Sequence, residues 1–254
     1  MKLSVISPTY NEAPNVARLV GELGTALAGS DFEILIVDDD SPDLTWSAAE
    51  AIARDNTRLR VVRRVRNRGL SPAVIDGFTA ARGELVACID ADLQHDPGIL
   101  PTMMNELAHG ADVVVGSRYV NGGATRNWNP FRRLESWIAT KTAQLLLGVK
   151  LRDPMSGFFL MRRDDFLAVR PRLNPPGFKI LLEIVAKLRP KKVREVPYTF
   201  RARVAGESKL SSKVILQYLK QVWQLSKLGE AAYRRESARA GIGLRPADGA
   251  VDSD

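Results

Sequence analysis

The chain has 254 residues, 45% apolar and 26% charged, with a formal net charge of +8, which suits one large packed domain or two small ones. Its single cysteine, Cys88, excludes an intrachain disulfide and a Cys-rich zinc module, and His95 and His109 are too few for a histidine metal cage. Unbroken apolar runs stay far below the roughly 20 residues that span a bilayer, and the start Met1-Lys2-Leu3-Ser4 lacks a signal peptide's apolar stretch, so a soluble, cytoplasmic protein is expected.

Leu3–Ser7 and Phe32–Val37 are short apolar, β-branched runs between turn formers, the pattern of buried strands, and Leu59–Val65, Glu84–Ile89 and Asp112–Gly116 repeat it. Helical stretches lie between them: Pro14–Leu27 with a cap expected at Asn11, Thr45–Arg54, Pro72–Arg82 and Gly98–Leu107. This alternation predicts an α/β protein whose sheet is mostly parallel, with helices on both faces. Beyond Tyr119 the Gly/Asn-rich stretch Val120–Pro130 reads as a mobile loop. A helix over Arg132–Leu147, a strand over Phe158–Met161, a helix over Lys179–Leu188 and a last strand over Val193–Phe200 follow. Ser211–Arg235 carries Ile215, Tyr218, Leu219, Val222, Leu225 and Leu228 as a helical stripe beside lysines. The poorly apolar 236–254 segment is expected to be disordered.

The charge is concentrated at one end. Residues 187–235 hold thirteen Lys or Arg against three Glu, a local +10 that leaves the rest of the chain at −2. Such a basic segment faces nucleic acid, an anionic membrane surface or a phosphorylated substrate, or is simply a solvated face.

The acids of interest follow predicted strands: Asp38, Asp39, Asp40 and Asp43 after Val37, and Asp90 and Asp92 after Ile89. Ligands of open parallel sheets bind at the carboxyl ends of strands, so both clusters would meet over one crevice. The period-two spacing of Asp90 and Asp92 points both carboxylates the same way if the chain stays extended there. With a contribution from Gln94 or His95, they suit Mg²⁺ or Mn²⁺ held partly by a diphosphate. The rival reading is that these aspartates cap the next turn. A P-loop is excluded because no Gly-x-x-x-x-Gly-Lys-Ser/Thr string occurs, and a dinucleotide fingerprint because Pro8-Thr9-Tyr10-Asn11-Glu12 stands in its place. A phospho-acceptor receiver domain has no use for the further basic end.

Ser7-Pro8-Thr9-Tyr10-Asn11-Glu12, Val37-Asp38-Asp39-Asp40-Ser41-Pro42-Asp43 and Asp90-Ala91-Asp92-Leu93-Gln94-His95 resemble the inverting family 2 glycosyltransferases of GT-A fold. More narrowly they resemble the polyprenol- or dolichol-phosphate mannose synthases. Gly116–Tyr119, Asp153–Phe159, Gly177–Glu183 and Arg203–Leu210 extend the likeness, which runs over about residues 2–228. The family often shows a second glycine where this chain has Ser71.

The resemblance implies a catalytic domain over 1–228 that transfers mannose from GDP-mannose to a polyprenyl phosphate, with Mg²⁺ or Mn²⁺. By it, Pro8, Tyr10, Glu12, Val37, Asp39, Asp90, Ala91 and Lys179 would bind the nucleotide sugar, and Asp90, Asp92 and Gln94 the metal. Asp92 and Arg118 would be catalytic, and Arg118, Arg132, Arg133, Arg203, Ser208 and Lys209 would gather the acceptor phosphate. A phosphate monoester, with a second pKa of about 6, is already nucleophilic at neutral pH. It needs cations rather than a general base, which accords with the scarcity of histidine. A lipid acceptor also implies a peripheral protein at the cytoplasmic face of a membrane, docked through the 211–235 helix or a separate membrane-anchor protein, with Trp128, Phe131 and Trp137 as further contacts. No nucleic-acid partner is expected. The rivals are the same reaction with another donor such as UDP-glucose, and a non-catalytic basic lipid- or nucleic-acid-binding module.

Overall fold

The computed structural model describes residues 1–125, 140, 141, 144, 151–173 and 179–201. Strands β1 (Leu3–Thr9), β2 (Phe32–Asp38), β3 (Leu59–Arg63), β4 (Leu85–Cys88), β5 (Val113–Ser117), β7 (Phe159–Arg162) and β8 (Val193–Pro197) form one sheet in the order β3-β2-β1-β4-β7-β5-β8. Every pairing in it is parallel except those of β7, which runs antiparallel between β4 and β5. Two short strands, β6 (Ala124–Thr125) and β9 (Thr199–Phe200), pair separately.

Side chains alternate across the sheet with the period of two that a pleated strand imposes. Ile6, Leu35, Val37, Phe159 and Met161 face one core layer, while Leu3, Val5, Ile34, Ile36 and Leu160 face the other. Helices α3 (Leu70–Ala80), α5 (Arg163–Val169) and α6 (Ile180–Leu188) cover the first layer. There Phe78 meets Phe159 and Phe166 edge-on at 5.8 and 5.0 Å. Helices α1 (Ala13–Ala26), α2 (Thr45–Ala53) and α4 (Leu100–Ala108) cover the second. Apolar faces on both sides explain why the strand runs are continuously apolar. Among the described residues no helix is long and apolar enough to cross a membrane.

Three local expectations are corrected, and one helix is added. Asn11 does not cap α1: it sits at φ 59, and the cap residue, Glu12, makes no side-chain cap bond. The first amides are satisfied from the segment after β2 instead, Asn11 N–H by Ser41 Oγ, Glu12 N–H by Thr45 Oγ1 and Ala13 N–H by Asp43 Oδ2. The strand expected over Val193–Phe200 breaks at Tyr198, because Pro197 has no N–H to continue the ladder. The stretch Val120–Thr125, expected as loop, ends in β6. Helix α5 was not anticipated; at seven residues it is too short to display a helical period, although Asp164 and Asp165 in its first turn complement the helix dipole. The expected helices over 132–147 and 211–235 lie outside the described residues, except that Thr140, Lys141 and Gln144 are helical.

One ion pair ties the sheet together beneath α3. Glu33, 2% exposed, accepts from Ser4 Oγ at 2.6 Å, Arg60 at 2.7 Å and Arg82 N–H at 2.7 Å. Burial alone would raise its carboxyl, but the bonds from Ser4, Arg60 and Arg82 outweigh burial and lower it from the ordinary 4.5. A depressed carboxyl contributes stability above its unfolded pKa and loses it as pH falls through the folded one. Acid unfolding of Glu33→Gln, followed by circular dichroism, should therefore depend less on pH below about 4.5 than wild type. An unchanged pH profile would remove Glu33 from the stability balance.

Candidate active site

The chain runs outward from β1 through β2 to β3, then crosses back to place β4 on the other side of β1. This is a topological switch point, and a crevice opens there beyond the strand ends. Three loops converge on it: Tyr10–Glu12 after β1, Asp39–Asp43 after β2 and Ile89–His95 after β4.

After β2 the four acids divide by role. Asp38 is fully buried and accepts from Thr9 Oγ1 at 2.8 Å, Ser41 N–H at 2.8 Å and Ser41 Oγ at 2.6 Å. It is a turn cap, as Asp43 is toward Thr45 and Ala13. Asp40 pairs with Arg63 and Arg68. Asp39 differs: it is buried, pairs with Arg64, and accepts Gly69 N–H at 2.6 Å. Burial raises its carboxyl despite these partners. Gly69, the cap residue of α3, has φ 140, a conformation open essentially to glycine. The neighbouring Ser71 is fully buried, and its hydroxyl has no hydrogen-bond partner among the described residues.

After β4 the chain leaves the extended form, so the period-two argument does not place the two carboxylates. Ala91 and Asp92 form a turn, Leu93 stands at φ 61, and Asp92 Oδ1 accepts Gln94 N–H at 3.2 Å. Asp90 is bound at Oδ2 by His95 Nε2 at 3.1 Å, yet its side chain is 37% exposed, so part of the carboxylate faces the crevice. Burial pushes the Asp90 carboxyl upward, but His95, Lys179 and Arg118 together outweigh it and hold the group below the ordinary carboxylate range.

Two cations face Asp90. Arg118, after β5, donates from Nε and Nη2 to the two oxygens of Asp153, each at 2.7 Å, and its own N–H binds the same group at 3.1 Å. Asp153 is fully buried. Burial disfavours the guanidinium's charge, but Asp153 more than restores it, so Arg118 is raised above its ordinary value. Lys179, at the start of α6, is shifted the other way by burial and by the Arg118 charge, against Asp90 and Asp153. The two cations repel each other across a space whose carboxylates only partly compensate. That is an electrostatic description of an anion site.

Of the expected site residues, Pro8, Tyr10, Glu12, Val37, Asp39, Asp90, Ala91, Asp92, Gln94, Arg118 and Lys179 are described; the first five stand on β1, β2 and the loops after them, and Asp90, Ala91, Asp92 and Gln94 follow β4. Tyr10 is 40% exposed. Arg132, Arg133, Arg203, Ser208 and Lys209 lie outside the described residues. Within the basic segment, Lys187, Arg194 and Arg201 are engaged with Glu183, Glu106, and Glu22 and Asp96. Asp153 and Gly157 also belong to the site, signalled in the sequence only as members of the Asp153–Phe159 stretch, and Tyr198 joins them with no local signal, because it reaches the site from the break between β8 and β9.

The donor set fits a hard divalent cation. Asp90 and Asp92 offer carboxylate oxygens, and Gln94 donates its Nε2 to Arg201 O at 3.0 Å, which leaves Oε1 as the amide's acceptor atom. No group of three or more His, Cys, Asp and Glu able to hold a metal occurs among the described residues, so an ion here would draw its remaining ligands from a diphosphate or water. Gly157 provides the wall: a Cβ there would meet Asp90 Oδ2 at 2.5 Å. Gly157→Ala should therefore displace the carboxylate and reduce turnover roughly tenfold to a hundredfold, with the melting temperature little changed. Wild-type turnover would mean that Asp90 has room to spare.

The family model described as Glycosyl transferase family 2 matches residues 4–169. The chain is 44% identical over 229 residues to the dolichol-phosphate mannosyltransferase of Pyrococcus furiosus, spanning 89% of this chain and 64% of that protein. It is 40% identical over 235 residues to the dolichol-phosphate mannosyltransferase of Saccharomyces cerevisiae, spanning 89% and 87%. Its fold matches that of glucosyl-3-phosphoglycerate synthase from Mycobacterium tuberculosis, solved in complex with Mn²⁺, UDP-glucose and phosphoglyceric acid. That match has a TM-score of 0.64 at 21% identity and covers 87% of this chain and 79% of that one.

Proposed function

We propose a mannosyl transfer for this chain, which belongs to glycosyltransferase family 2 and has the GT-A fold. Mannose passes with inversion from GDP-mannose to the phosphate of a polyprenyl monophosphate, giving polyprenyl-phosphate mannose. The sugar and the acceptor class are those named for the relatives at 40% and 44% identity. The observation that carries the reading is the charge arrangement at the switch point: an ionised Asp90 beside Asp92, faced by Arg118 and Lys179.

Tyr10, Glu12 and Asp39 would line the nucleoside end, at the tips of β1 and β2. Asp90, Asp92 and Gln94 would hold Mg²⁺ or Mn²⁺, which when bound neutralises charge on the departing diphosphate. An oxygen of the acceptor phosphate bonds to the anomeric carbon as that carbon's bond to the diphosphate oxygen breaks, and GDP leaves with the electron pair. No proton need be removed from a dianionic acceptor. Lys179 and Arg118 repel one another, and an arriving phosphate relieves that repulsion. Arg132, Arg133, Arg203, Ser208 and Lys209 complete the acceptor site in this reading. A lipid acceptor brings the enzyme to a membrane surface, on its own basic segment or through an anchoring partner.

Purified protein given radiolabelled GDP-mannose, a polyprenyl phosphate and Mg²⁺ should move label into the organic phase. Label transferred from UDP-glucose and not from GDP-mannose would replace the donor, and no transfer from either would overturn the reading.

A further inference from the structure

A buried polar chain behind the proposed metal site takes no part in the transfer as described. His95 is 3% exposed and bonded at both ring nitrogens, Nε2 to Asp90 Oδ2 at 3.1 Å and Nδ1 to the Tyr198 hydroxyl at 2.8 Å. Tyr198 is also 3% exposed. We propose that Tyr198 is a positioning residue: its hydroxyl fixes the His95 ring, and the ring holds the Asp90 carboxylate in the orientation that receives the divalent cation.

The proton positions follow from the partners. A carboxylate that serves as a metal ligand can only accept, so His95 Nε2, 3.1 Å from Asp90 Oδ2, is the donor of that bond. A ring carrying its hydrogen at Nε2 accepts at Nδ1, where the Tyr198 hydroxyl stands 2.8 Å away. Burial raises Tyr198 well above its ordinary value, so the phenol keeps its proton and supplies it. Packing removes the alternative ring orientations. Phe158 and Phe200 each stand edge-on to His95 with ring centroids 5.4 Å away, and Tyr198 lies tilted against it at the same distance. The anchor is itself held by main chain. Tyr198 N–H donates to Ser117 O at 3.2 Å and its carbonyl accepts from Ala124 N–H at 3.1 Å, at the break between β8 and β9.

A carboxylate 37% exposed and walled by Gly157 would otherwise rotate toward the crevice. Tethered at Oδ2, it offers the crevice a defined edge. This is the support that ligands need from the groups behind them, and its loss typically costs 10- to 100-fold in metal affinity.

The inference rests on Asp90 being a metal ligand, and the experiment separates the two claims. Mn²⁺ binding to the full chain in the presence of GDP is measured from the free-Mn²⁺ paramagnetic resonance signal, alongside thermal melting. Tyr198→Phe keeps the ring and removes the hydroxyl; we expect it to weaken Mn²⁺ binding about tenfold. His95→Gln should weaken it at least as much, and the double variant no more than His95→Gln alone, because Tyr198 acts through the ring. Wild-type affinity in Tyr198→Phe overturns the inference, even if its melting temperature falls. Losses that add in the double variant overturn it too, since Tyr198 would then act independently. If wild type binds no Mn²⁺ while Asp92→Ala still melts as wild type does, the metal reading fails and this inference with it.

Discussion

Asp92→Ala is expected to reduce the proposed mannosyl transfer by about 10³-fold or more, since a bound cation stabilises developing charge by several kcal/mol and each 1.4 kcal/mol is tenfold in rate. Asp92 is 7% exposed and accepts a 3.2 Å bond from Gln94 N–H within its own turn. That bond is worth about 1 kcal/mol. Asp92→Asn provides the control: the amide oxygen still serves the turn while the charge is gone. Asp92→Asn should melt near wild type, and both variants should be inactive across a Mg²⁺ titration. Activity in Asp92→Asn that recovers at high Mg²⁺ would demote Asp92 to a helper of Asp90. Activity in Asp92→Ala at ordinary Mg²⁺ would remove it from the metal site altogether.

The second large effect concerns Asp153, which the sequence marks only as one acid in a conspicuous Asp-Pro-Met-Ser-Gly-Phe-Phe stretch. Its carboxylate is wholly buried and grips Arg118, itself 9% exposed, through two 2.7 Å bonds. Removing one member of a buried pair strands the other charge at a cost of about 3–5 kcal/mol. At this chain length that lowers the melting temperature by roughly 10 °C. Asp153→Ala should show that loss, and transfer should fall with it because Arg118 is no longer aimed. Replacing both members by leucine separates fold from chemistry. Buried pairs exchanged for apolar side chains often lose no stability, so the double variant should melt closer to wild type while remaining inactive. An active double variant would make the pair purely structural and remove Arg118 from the transfer.

Both predictions and the Tyr198 relay describe one electrostatic unit. Asp90 and Asp153 are negative and Arg118 and Lys179 positive, and burial works against the charges of Asp90, Arg118 and Lys179. Each is tolerable because the others are present. A donor diphosphate with its cation would join this network with the charges already in place, which is the condition for stabilisation without reorganisation at the moment of reaction.

Much of this was readable from local pattern. Continuous apolar runs such as Phe32–Val37 announce strands covered on both faces, and acids directly after such runs announce a crevice at strand ends. The resemblance carried by the Asp90–His95 and Ser7–Glu12 motifs supplied the family. These are properties of short stretches, set by the periods of strand and helix and by the few residue types able to hold phosphate and metal. Neighbouring residues of identical type were not separable in this way. Asp38 and Asp39 are chemically alike and adjacent, yet one is consumed by Thr9 and Ser41 while the other faces Arg64 and Gly69. Their roles depend on which residues the β1–β2 register and α3 bring opposite each.

The same holds for every contact that links distant segments. Arg118 meets Asp153 across 35 positions, and His95 meets Tyr198 across 103. The amides at the start of α1 are capped from the loop after β2 rather than by their own neighbours. The sequence by itself determined the α/β architecture, the acids at the crevice and the family, because periodicity and motif are local. Only the tertiary structure decided which carboxylate is a cap, which is a counterion and which remains open to a ligand, because a buried group's role is set by the partners that offset its desolvation, and the sheet draws those partners from far along the chain.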